Sequence, residues 1–395
     1  MRGQRFMPYQ IYLKKNEEKR LLSGHSWVYA NEVAKIEGKD KNGSLASVYS
    51  YEGKFVGKGY INHLSKILVR IFIYDENETD TDELFASRLQ TAADYRKKLG
   101  YDNSCRLVFA EADDLPALIV DKYSEYLVVQ FLSLGIDKQK ERIVRLLANL
   151  FSPKGIYERS DVAVRQKEGL EEKTGVLYGE VPDEIIIEEN GVKMSVDVKH
   201  GQKTGYFLDQ KENRACAIKY AVGADVLDCF SNSGGFSMNV ANVAKSVLAV
   251  DISRLATETV QKNAVLNGYK NVTTLTDDVF EVLRRFKAEG RKFDTVILDP
   301  PAFCKSADEV KDAYRGYKDI NILGMKLVRE GGFLITSSCS HYMTFPLFEK
   351  MLGEAAKESG RRVRTVEIKS QAPDHPSLLL ADETQYLKFF VLQIQ

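Results

Sequence analysis

The chain has 395 residues, 44% of them hydrophobic and 28% charged, and its formal net charge is zero. This length allows two or three domains, and the composition is typical of a globular protein rather than of a low-complexity or disordered chain. Zero net charge argues against a strongly basic nucleic-acid-binding protein. No apolar run reaches the ~18 residues of a membrane span, and the first residues lack the apolar core of a signal peptide, which predicts a cytoplasmic protein.

The cysteines and histidines are dispersed along the chain. The five cysteines form no C-x-x-C pair, and no two histidines have the spacing of a metal-binding helix. We therefore expect reduced cysteines, no disulfide framework and no metal.

Residues 1–78 predict a small β-rich module, in which short β segments are separated by Gly, Asn and charged turns. This segment carries 13 Lys and Arg against 9 Asp and Glu, so it leans basic. The excess permits a contact with nucleic acid, and a solvated surface explains it about as well.

Residues 79–195 predict a mixed α+β domain. A helical pattern in "ELFASRLQTAADYRKKL" precedes the apolar strands of "LPALIVDKYSEYLVVQF", and a second helical pattern follows in "DKQKERIVRLLANLF". Here 22 acidic residues outnumber 16 basic ones. An acidic segment beside a basic head offers a second copy a complementary surface, which favours a homodimer.

Residues 196–395 predict an α/β fold, a Rossmann-like doubly wound domain. Apolar strands such as "VLAVDIS" and "FDTVILDPP" alternate with helical patterns, the arrangement of a parallel sheet with helices on both faces. Ligands of such sheets bind at the carboxyl ends of the strands, so we expect the chemistry there.

Three successive strands end in an acidic residue, which predicts a nucleoside site. Asp228 precedes a turn containing Gly234, and Asp251 follows 23 residues later, suited to the hydroxyls of a ribose. Asp278 would accept a hydrogen bond from an adenine amino group, with Val279 or Phe280 covering the ring. No phosphate-binding lysine accompanies them, so S-adenosylmethionine fits better than a nucleotide; each Asp alone is also a good helix cap.

Ahead of the first strand, "HGQKTGYFLDQKENR" is dense in polar and aromatic side chains. Tyr206 and Asp209 are candidates to line the donor pocket. The alternative is a turn in which Asp209 caps a helix.

The fourth and fifth strands predict the reacting groups. The fourth ends in "DPPAF", which places Asp299 opposite the methyl donor, and the fifth ends at Cys339 in "SSCSHYM". Carbon 5 of a pyrimidine is a weak nucleophile, and addition of a thiolate at carbon 6 turns the ring into an enamine that accepts a methyl group. Cys339 is therefore the candidate nucleophile and Asp299 the candidate acid that binds ring nitrogen 3 and the amine of cytosine. The alternative for Cys339 is a small buried residue; Cys304 has at most a minor role.

These motifs resemble those of the bacterial class I 23S ribosomal RNA cytosine-5 methyltransferases that carry an N-terminal PUA domain. "GHSWVYANEV" is similar to the start of the PUA domain, "YERSDVAVRQKEGL" to the middle-domain signature, and "LDCFSNSGGFS", "DPPAF" and "SSCSHYM" to the methyltransferase blocks. The resemblance covers nearly the whole chain. It implies a PUA-like RNA-binding domain at 1–78, a central α+β domain at 79–195 and a methyltransferase domain at 196–395.

The resemblance also implies roles for individual residues. Cys339 takes the position of the nucleophile and Asp299 that of the acid. The implied donor-binding residues are Tyr206, Asp209, Asp228, Phe230, Gly234, Asp251, Ile252, Asp278, Val279 and Asp299. The chain departs from the wider RNA cytosine-5 methyltransferases at Ala302, where they usually carry a second cysteine.

The predicted partner is RNA, most specifically 23S ribosomal RNA, with no membrane. The target base must be single-stranded or flipped out to enter a pocket built for one nucleoside. Candidate phosphate or stacking contacts are Lys14, Lys15, Lys19, Arg20, Trp27 and Tyr29. Two alternatives stay open: methylation of an amino group or of guanine with a structural Cys339, and an RNA assembly factor that binds the donor with little catalysis.

Overall fold

The computed structural model of the protein describes residues 7–395. The described chain divides into two compact units. The first runs up to Ile185 and also contains Val196–Tyr206 and Pro373–Thr384. The second comprises Ile186–Ser195, Phe207–Ala372 and Gln385–Gln395.

The first unit begins with a six-stranded sheet in the order β2-β6-β5-β4-β1-β3. Neighbouring strands are antiparallel except for β1 and β4, which are parallel. A small core of aliphatic side chains, among them Ile11, Val48 and Val69, is fully buried against it. Its elements are β1 (Met7–Leu13), α1 (Glu18–Leu22), β2 (Trp27–Tyr29), β3 (Val33–Lys39), β4 (Leu45–Tyr49), β5 (Phe55–Ile61) and β6 (Ile67–Ile73).

A second, five-stranded sheet of the same unit has the order β11-β10-β9-β8-β7. Helix α2 starts at a Thr81 cap whose side chain accepts a hydrogen bond from the Leu84 N–H. Buried side chains of α2 and α4 pack on this sheet. The elements are α2 (Asp82–Lys98), β7 (Ser104–Phe109), β8 (Leu118–Tyr123), β9 (Tyr126–Phe131), α3 (Leu134–Asp137), α4 (Lys140–Phe151), β10 (Gly155–Ser160) and β11 (Lys173–Gly179). A two-stranded sheet of β12 (Ile185–Glu189) and β13 (Val192–Val196) follows.

The second unit is a seven-stranded sheet in the order β16-β15-β14-β17-β18-β20-β19. Its first five strands are parallel, which confirms the predicted Rossmann-like fold class. Strand β20 runs antiparallel to both β18 and β19, so the sheet is mixed at that end. The elements are α5 (Lys211–Ile218), β14 (Asp225–Cys229), α6 (Gly235–Ala241), β15 (Ser246–Asp251), α7 (Arg254–Leu266), β16 (Val272–Thr276), α8 (Val279–Ala288), β17 (Phe293–Leu298), α9 (Val310–Leu327), β18 (Val328–Ser338), α10 (Phe345–Ser359), β19 (Val363–Lys369) and β20 (Lys388–Ile394).

The core of this unit explains why these strands read as continuous apolar runs. Side chains from both faces of β14, β17 and β18 are fully buried, among them Leu227, Val296 and Leu334. A strand covered on both faces shows no alternation of polar and apolar residues, so its sequence is a nearly continuous apolar run. No helix in the stretch 7–395 is both long and apolar enough to cross a membrane.

Candidate functional site

The candidate site lies where strands β14, β15, β17 and β18 end. These four strands are neighbours in register, with Cys229 beside Leu298 and Leu298 beside Thr336. The residues that end or follow them are therefore brought to one edge of the sheet. Asp228, Asp251, Asp299 and Cys339 all belong to this set.

Asp228 is buried, with 1% of its surface exposed. Its Oδ2 accepts a 2.6 Å hydrogen bond from Ser237 Oγ, while its buried Oδ1 has no partner among the described residues. The pKa of the Asp228 carboxyl is raised to about 7, mainly by burial and also by the charges of Asp299 and Asp251, while the hydrogen bond from Ser237 opposes the shift. Three carboxyl groups therefore share a site that favours a cation.

The loop between β14 and α6 has an unusual backbone. Phe230, Asn232 and Gly234 all adopt positive φ, at 61°, 48° and 85°. A Cβ at Gly234 would stand 3.1 Å from Val260 Cγ2, so this position needs glycine for both conformation and space. The loop runs directly into the N-terminus of α6, as the glycine turn predicts.

Asp251 holds the same loop in place. Its Oδ2 accepts a hydrogen bond from the Asn232 N–H and its Oδ1 one from the Ser253 N–H, both at 2.9 Å. Each carboxylate oxygen retains acceptor capacity for a ligand hydroxyl. The next residue, Ile252, is 69% exposed.

Asp278 caps helix α8, accepting a 3.2 Å hydrogen bond from the Glu281 N–H. The capping role that its residue type allows is therefore present, and its contact with the adenine amino group stays a prediction. Val279 is buried, whereas Phe280 is half-buried and packs edge-to-face on Phe230 at 6.4 Å between ring centroids. Of the two candidates to cover a purine ring, Phe280 has the accessible face.

Asp299 follows β17 and is held by two side chains. Ser337 Oγ and Gln210 Nε2 donate hydrogen bonds to its Oδ1 at 2.5 and 2.8 Å. Ser337 belongs to β18 and Gln210 precedes α5. The carboxylate is therefore oriented by two separate elements.

Cys339 is the half-buried cysteine; the other four are buried. Cys339 directly follows β18 and stands two residues beyond Ser337, whose side chain reaches Asp299. Cys304 lies nearby, because its N–H donates to Ser340 Oγ at 3.3 Å. Burial raises the pKa of the Cys304 thiol, which disfavours its reactive thiolate form.

Asp209 and Tyr206 fall in different units. Asp209 is buried in the second unit and accepts a 2.7 Å hydrogen bond from Tyr386. The interpretation in which it caps a helix is wrong, because α5 begins after Gln210 and has no side-chain cap. Tyr206 is buried in the first unit, where its N–H donates to the Tyr123 hydroxyl at 3.2 Å.

Comparison with known proteins identifies the fold and the family. A model of S-adenosylmethionine-dependent methyltransferases matches residues 159–390, and a PUA-like domain model matches residues 11–73. "Ribosomal RNA large subunit methyltransferase I" of Vibrio cholerae is 43% identical over 97% of this chain and 99% of its own length. The protein of that name from Pseudoalteromonas atlantica is 44% identical over 98% of this chain and 100% of its own length.

The chain belongs to the S-adenosylmethionine-dependent methyltransferase family. A solved methyltransferase from Streptococcus mutans shares its fold, with a TM-score of 0.83 at 21% identity over 98% of this chain and 100% of that chain. A methyltransferase crystallised with SAH matches at a TM-score of 0.84, also at 21% identity, over 98% and 100%.

The residues of this methyltransferase fit the donor. S-adenosylmethionine carries a sulfonium and an amino group, and the structure presents a buried acidic cluster in which Asp228 Oδ1 has no partner among the described residues. The glycine turn and the accessible ring of Phe280 suit the rest of the nucleoside. Within residues 7–395, no group of three or more His, Cys, Asp or Glu residues is placed to hold a metal ion.

Three residues of the methyltransferase site escaped the sequence analysis. Gln210 and Ser337 bind Asp299, and Lys388, the first residue of β20, is buried beside the Cys339 loop. Ser337 stands two residues before the predicted nucleophile, and this spacing could have identified it as a site residue from the sequence. The sequence signal for Lys388 is weak: a single lysine precedes the apolar run "FFVLQI".

Proposed function

We propose that this methyltransferase forms 5-methylcytosine in large-subunit ribosomal RNA, with Cys339 as the nucleophile. One observation carries the proposal: the half-buried thiol follows the strand whose Ser337 binds Asp299. The printed names of the relatives supply the substrate class, and the PUA-like match at residues 11–73 is consistent with an RNA substrate. Ribosomal RNA as a substrate would place the protein in the cytoplasm.

The roles of the chain's own groups follow from the chemistry of cytosine. The Cys339 thiolate adds to carbon 6, and the electron pair of the 5,6 double bond becomes available at carbon 5. Asp299 binds ring nitrogen 3 and the exocyclic amine, which stabilises the charge that develops there. When bound, S-adenosylmethionine supplies an electrophilic methyl group. A solvent base then takes the carbon-5 proton, and the carbon–sulfur bond breaks to return the thiolate.

Ser337 and Gln210 serve this step by fixing Asp299. Two donors from separate elements on one carboxylate oxygen hold the group in one orientation. The half-buried thiol is better suited to attack than Cys304, whose thiol is buried and donates to the Ser306 carbonyl at 2.9 Å.

We infer that residues 1–78 bind the RNA and that 79–195 form a central α+β domain, which shares the first compact unit with them up to Ile185. Lys14, Lys15 and Lys19 are exposed and available to phosphates. Arg20 is engaged with Glu32 and with the Trp27 carbonyl, and Trp27 donates to Glu111, which favours a structural role for both. The lysines are therefore the better candidates for RNA contact.

Trapping with 5-fluorocytidine RNA tests the proposal. A fluorine at carbon 5 cannot leave as a proton does, so the adduct with Cys339 should persist as a covalent protein–RNA complex. Wild type and Cys304→Ala should both form the complex, and Cys339→Ala should not. The RNA should be large-subunit RNA from cells that lack the enzyme, so that the target position is unmodified.

Other outcomes would reject the proposal in distinct ways. Normal methylation by Cys339→Ala would eliminate the cysteine mechanism and favour transfer to an amino group or to guanine. Binding of S-adenosylmethionine without labelling of any RNA fraction would favour an assembly factor. Mapping the labelled base then identifies the position.

A further inference from the structure

Lys388 is a buried lysine at the start of β20, directly opposite Ser338 in the antiparallel pair with β18. Only 2% of its surface is exposed. Its Nζ donates 2.6 Å hydrogen bonds to the carbonyl oxygens of Ser340 and Tyr386. The first of these residues directly follows Cys339, so the ammonium group lies against the loop that carries the thiol.

The charge of Lys388 has no carboxylate partner among the described residues. Burial lowers its pKa to about 8, and the ionisable group that opposes this effect is Cys339. If Lys388 only bridged two carbonyl oxygens, its burial would destabilise the fold, because desolvating an isolated cation has a large free-energy cost. The cost is offset if the positive charge faces a developing negative charge.

An ammonium group has three N–H donors, and two of those on Lys388 are taken by carbonyl oxygens. The third remains for a further acceptor. A further ionisable group near the thiol is Tyr317 of α9, whose hydroxyl shares a 2.9 Å hydrogen bond with Ser340 Oγ. Burial raises the Tyr317 pKa to about 12, so this hydroxyl stays neutral at ordinary pH and provides no charge.

We propose that Lys388 is a positioning residue that stabilises Cys339 as the thiolate and orients it for attack. The sulfur–hydrogen bond breaks, its electron pair stays on sulfur, and the proton leaves to solvent through the exposed side of the thiol. The same electron pair then forms the bond to the substrate carbon. This inference rests on the proposed function, since it gives that function's nucleophile its reactive state.

A helix N-terminus and the neighbouring serine hydroxyls are weaker sources of thiolate stabilisation in this structure. Helix α10 begins at Phe345, six positions after Cys339, so the thiol does not directly precede a helix N-terminus. Ser338 Oγ accepts from the Ser340 N–H. The Lys388 ammonium is a positive group that interacts with the thiol.

Alkylation of Cys339 by iodoacetamide across pH 5–10 tests the inference without RNA or methyl transfer. The modified peptide is quantified by mass spectrometry, which separates Cys339 from the four buried cysteines. We expect Lys388→Met to slow alkylation of Cys339 at pH 7 by roughly tenfold or more, because the cation bound to the carbonyl of the next residue is lost. Lys388→Arg should restore most of the rate, and Lys350→Met, at an exposed position of α10, should leave it unchanged.

A second measurement covers the case in which Lys388→Met fails to fold. The thiolate absorbance at 240 nm is titrated in wild type, with Cys339→Ser as the blank. A midpoint below the ordinary ~8.5 of a free thiol supports the inference, and a midpoint at or above it overturns the inference. Equal alkylation profiles for wild type and folded Lys388→Met would also overturn it.

The outcomes for the two proposals are separable. If Cys339→Ala methylates RNA normally, the proposed cysteine mechanism fails, whereas the alkylation profiles still report whether Lys388 acts on the thiol. If the fluorocytidine adduct forms but the alkylation profile is the same in wild type and Lys388→Met, the cysteine mechanism is supported and the role of Lys388 is rejected.

Discussion

Ser337 Oγ donates a 2.5 Å hydrogen bond to Asp299 Oδ1, which connects the ends of the fourth and fifth strands of the methyltransferase sheet. Parallel pairing of the backbone brings these strand ends together, and the side-chain bond then fixes the direction of the carboxylate. Because Cys339 stands two residues beyond Ser337, one strand end carries both the group that orients the acid and the candidate nucleophile.

Ser337→Ala should slow methyl transfer while leaving donor binding nearly unchanged. Loss of a hydrogen bond to a charged group costs about 1.5–3 kcal/mol, which corresponds to roughly a tenfold to hundredfold lower rate if the bond acts in the transition state. Single-turnover methylation of RNA and calorimetric titration with S-adenosylmethionine measure the two effects. Thr336→Val is the matched control, since the buried Thr336 Oγ1 has no partner among the described residues. Equal rates for both variants would contradict the role given to Ser337.

Strands β14, β15 and β17 could be predicted because each is an apolar run, largely buried or half-buried, with an aspartate at or next to its C-terminal end. Asp228, Asp251 and Asp299 mark these ends in the sequence as in the structure. The two last strands escaped the sequence analysis. Strand β19 has mostly exposed or half-buried side chains, so it lacks an apolar run. The segment between β19 and its partner β20 includes Pro373–Thr384, which belongs to the first unit, so the two strands are not close in sequence.

The groups around the nucleophile were predictable only in part, for a physical reason. Cys339 and Asp299 are marked by their positions at strand ends, which local pattern reveals. Lys388 reaches the Cys339 loop through antiparallel pairing with Ser338, 50 residues earlier, and its hydrogen bond to the Ser340 carbonyl spans 48 residues. Local residue pattern carries no information about such a contact, so its discovery required the fold.

Donor affinity should rise with pH through the titration of Asp228. Its pKa is raised to about 7, so the carboxyl is mostly protonated below pH 7 and mostly ionised above it. A cationic donor favours the ionised form, and its binding below pH 7 therefore requires release of a proton. Affinity for S-adenosylmethionine is expected to fall roughly tenfold from pH 8 to pH 6. Calorimetry in buffers of different ionisation enthalpy measures the affinity and the proton release together.

Two variants isolate this effect. Asp228→Asn should bind the donor weakly and without the pH dependence. Asp225→Asn, at the opposite end of the same strand, should keep the wild-type pH profile, because the Asp225 pKa is lowered by bonds from Ser246 and Lys245 and that group is ionised throughout. A pH-independent wild type would exclude Asp228 as a group that titrates on donor binding.

Gly234→Ala should weaken donor binding as well as stability. Its φ of 85° strains any L side chain, and the new Cβ would meet Val260 at 3.1 Å, so the loop must shift. Gly290→Ala carries the same conformational strain at φ 71°, with open space around the Cβ and a position away from the site. Both variants should lose about 1 kcal/mol or more of stability. Only Gly234→Ala should lower donor affinity, and an equal loss in both would mean that the loop backbone does not shape the pocket.

Glu168→Ala should strongly destabilise the first unit. Glu168 is buried and accepts hydrogen bonds from Ser65 Oγ at 2.6 Å, from Asn62 Nδ2 at 2.8 Å and from Arg70 Nη2 at 3.0 Å. Arg70 is only 9% exposed, and the substitution removes one of its charge partners. We expect the free energy of unfolding to fall by about 3–5 kcal/mol. The single tryptophan of the chain, Trp27, lies 5.1 Å from the Arg70 guanidinium and reports unfolding of this unit by fluorescence.

The matched control for Glu168 is Glu52→Ala, which removes an exposed carboxylate 3.8 Å from the equally exposed Lys54 ammonium. Exposed ion pairs contribute little stability because water screens both charges. The free energy of unfolding of this variant should therefore lie within about 0.5 kcal/mol of the wild-type value. Urea titrations followed through Trp27 compare the two. If Glu168→Ala and Glu52→Ala unfold at the same urea concentration, the three donors find other acceptors, and the buried network does not determine the stability of this unit.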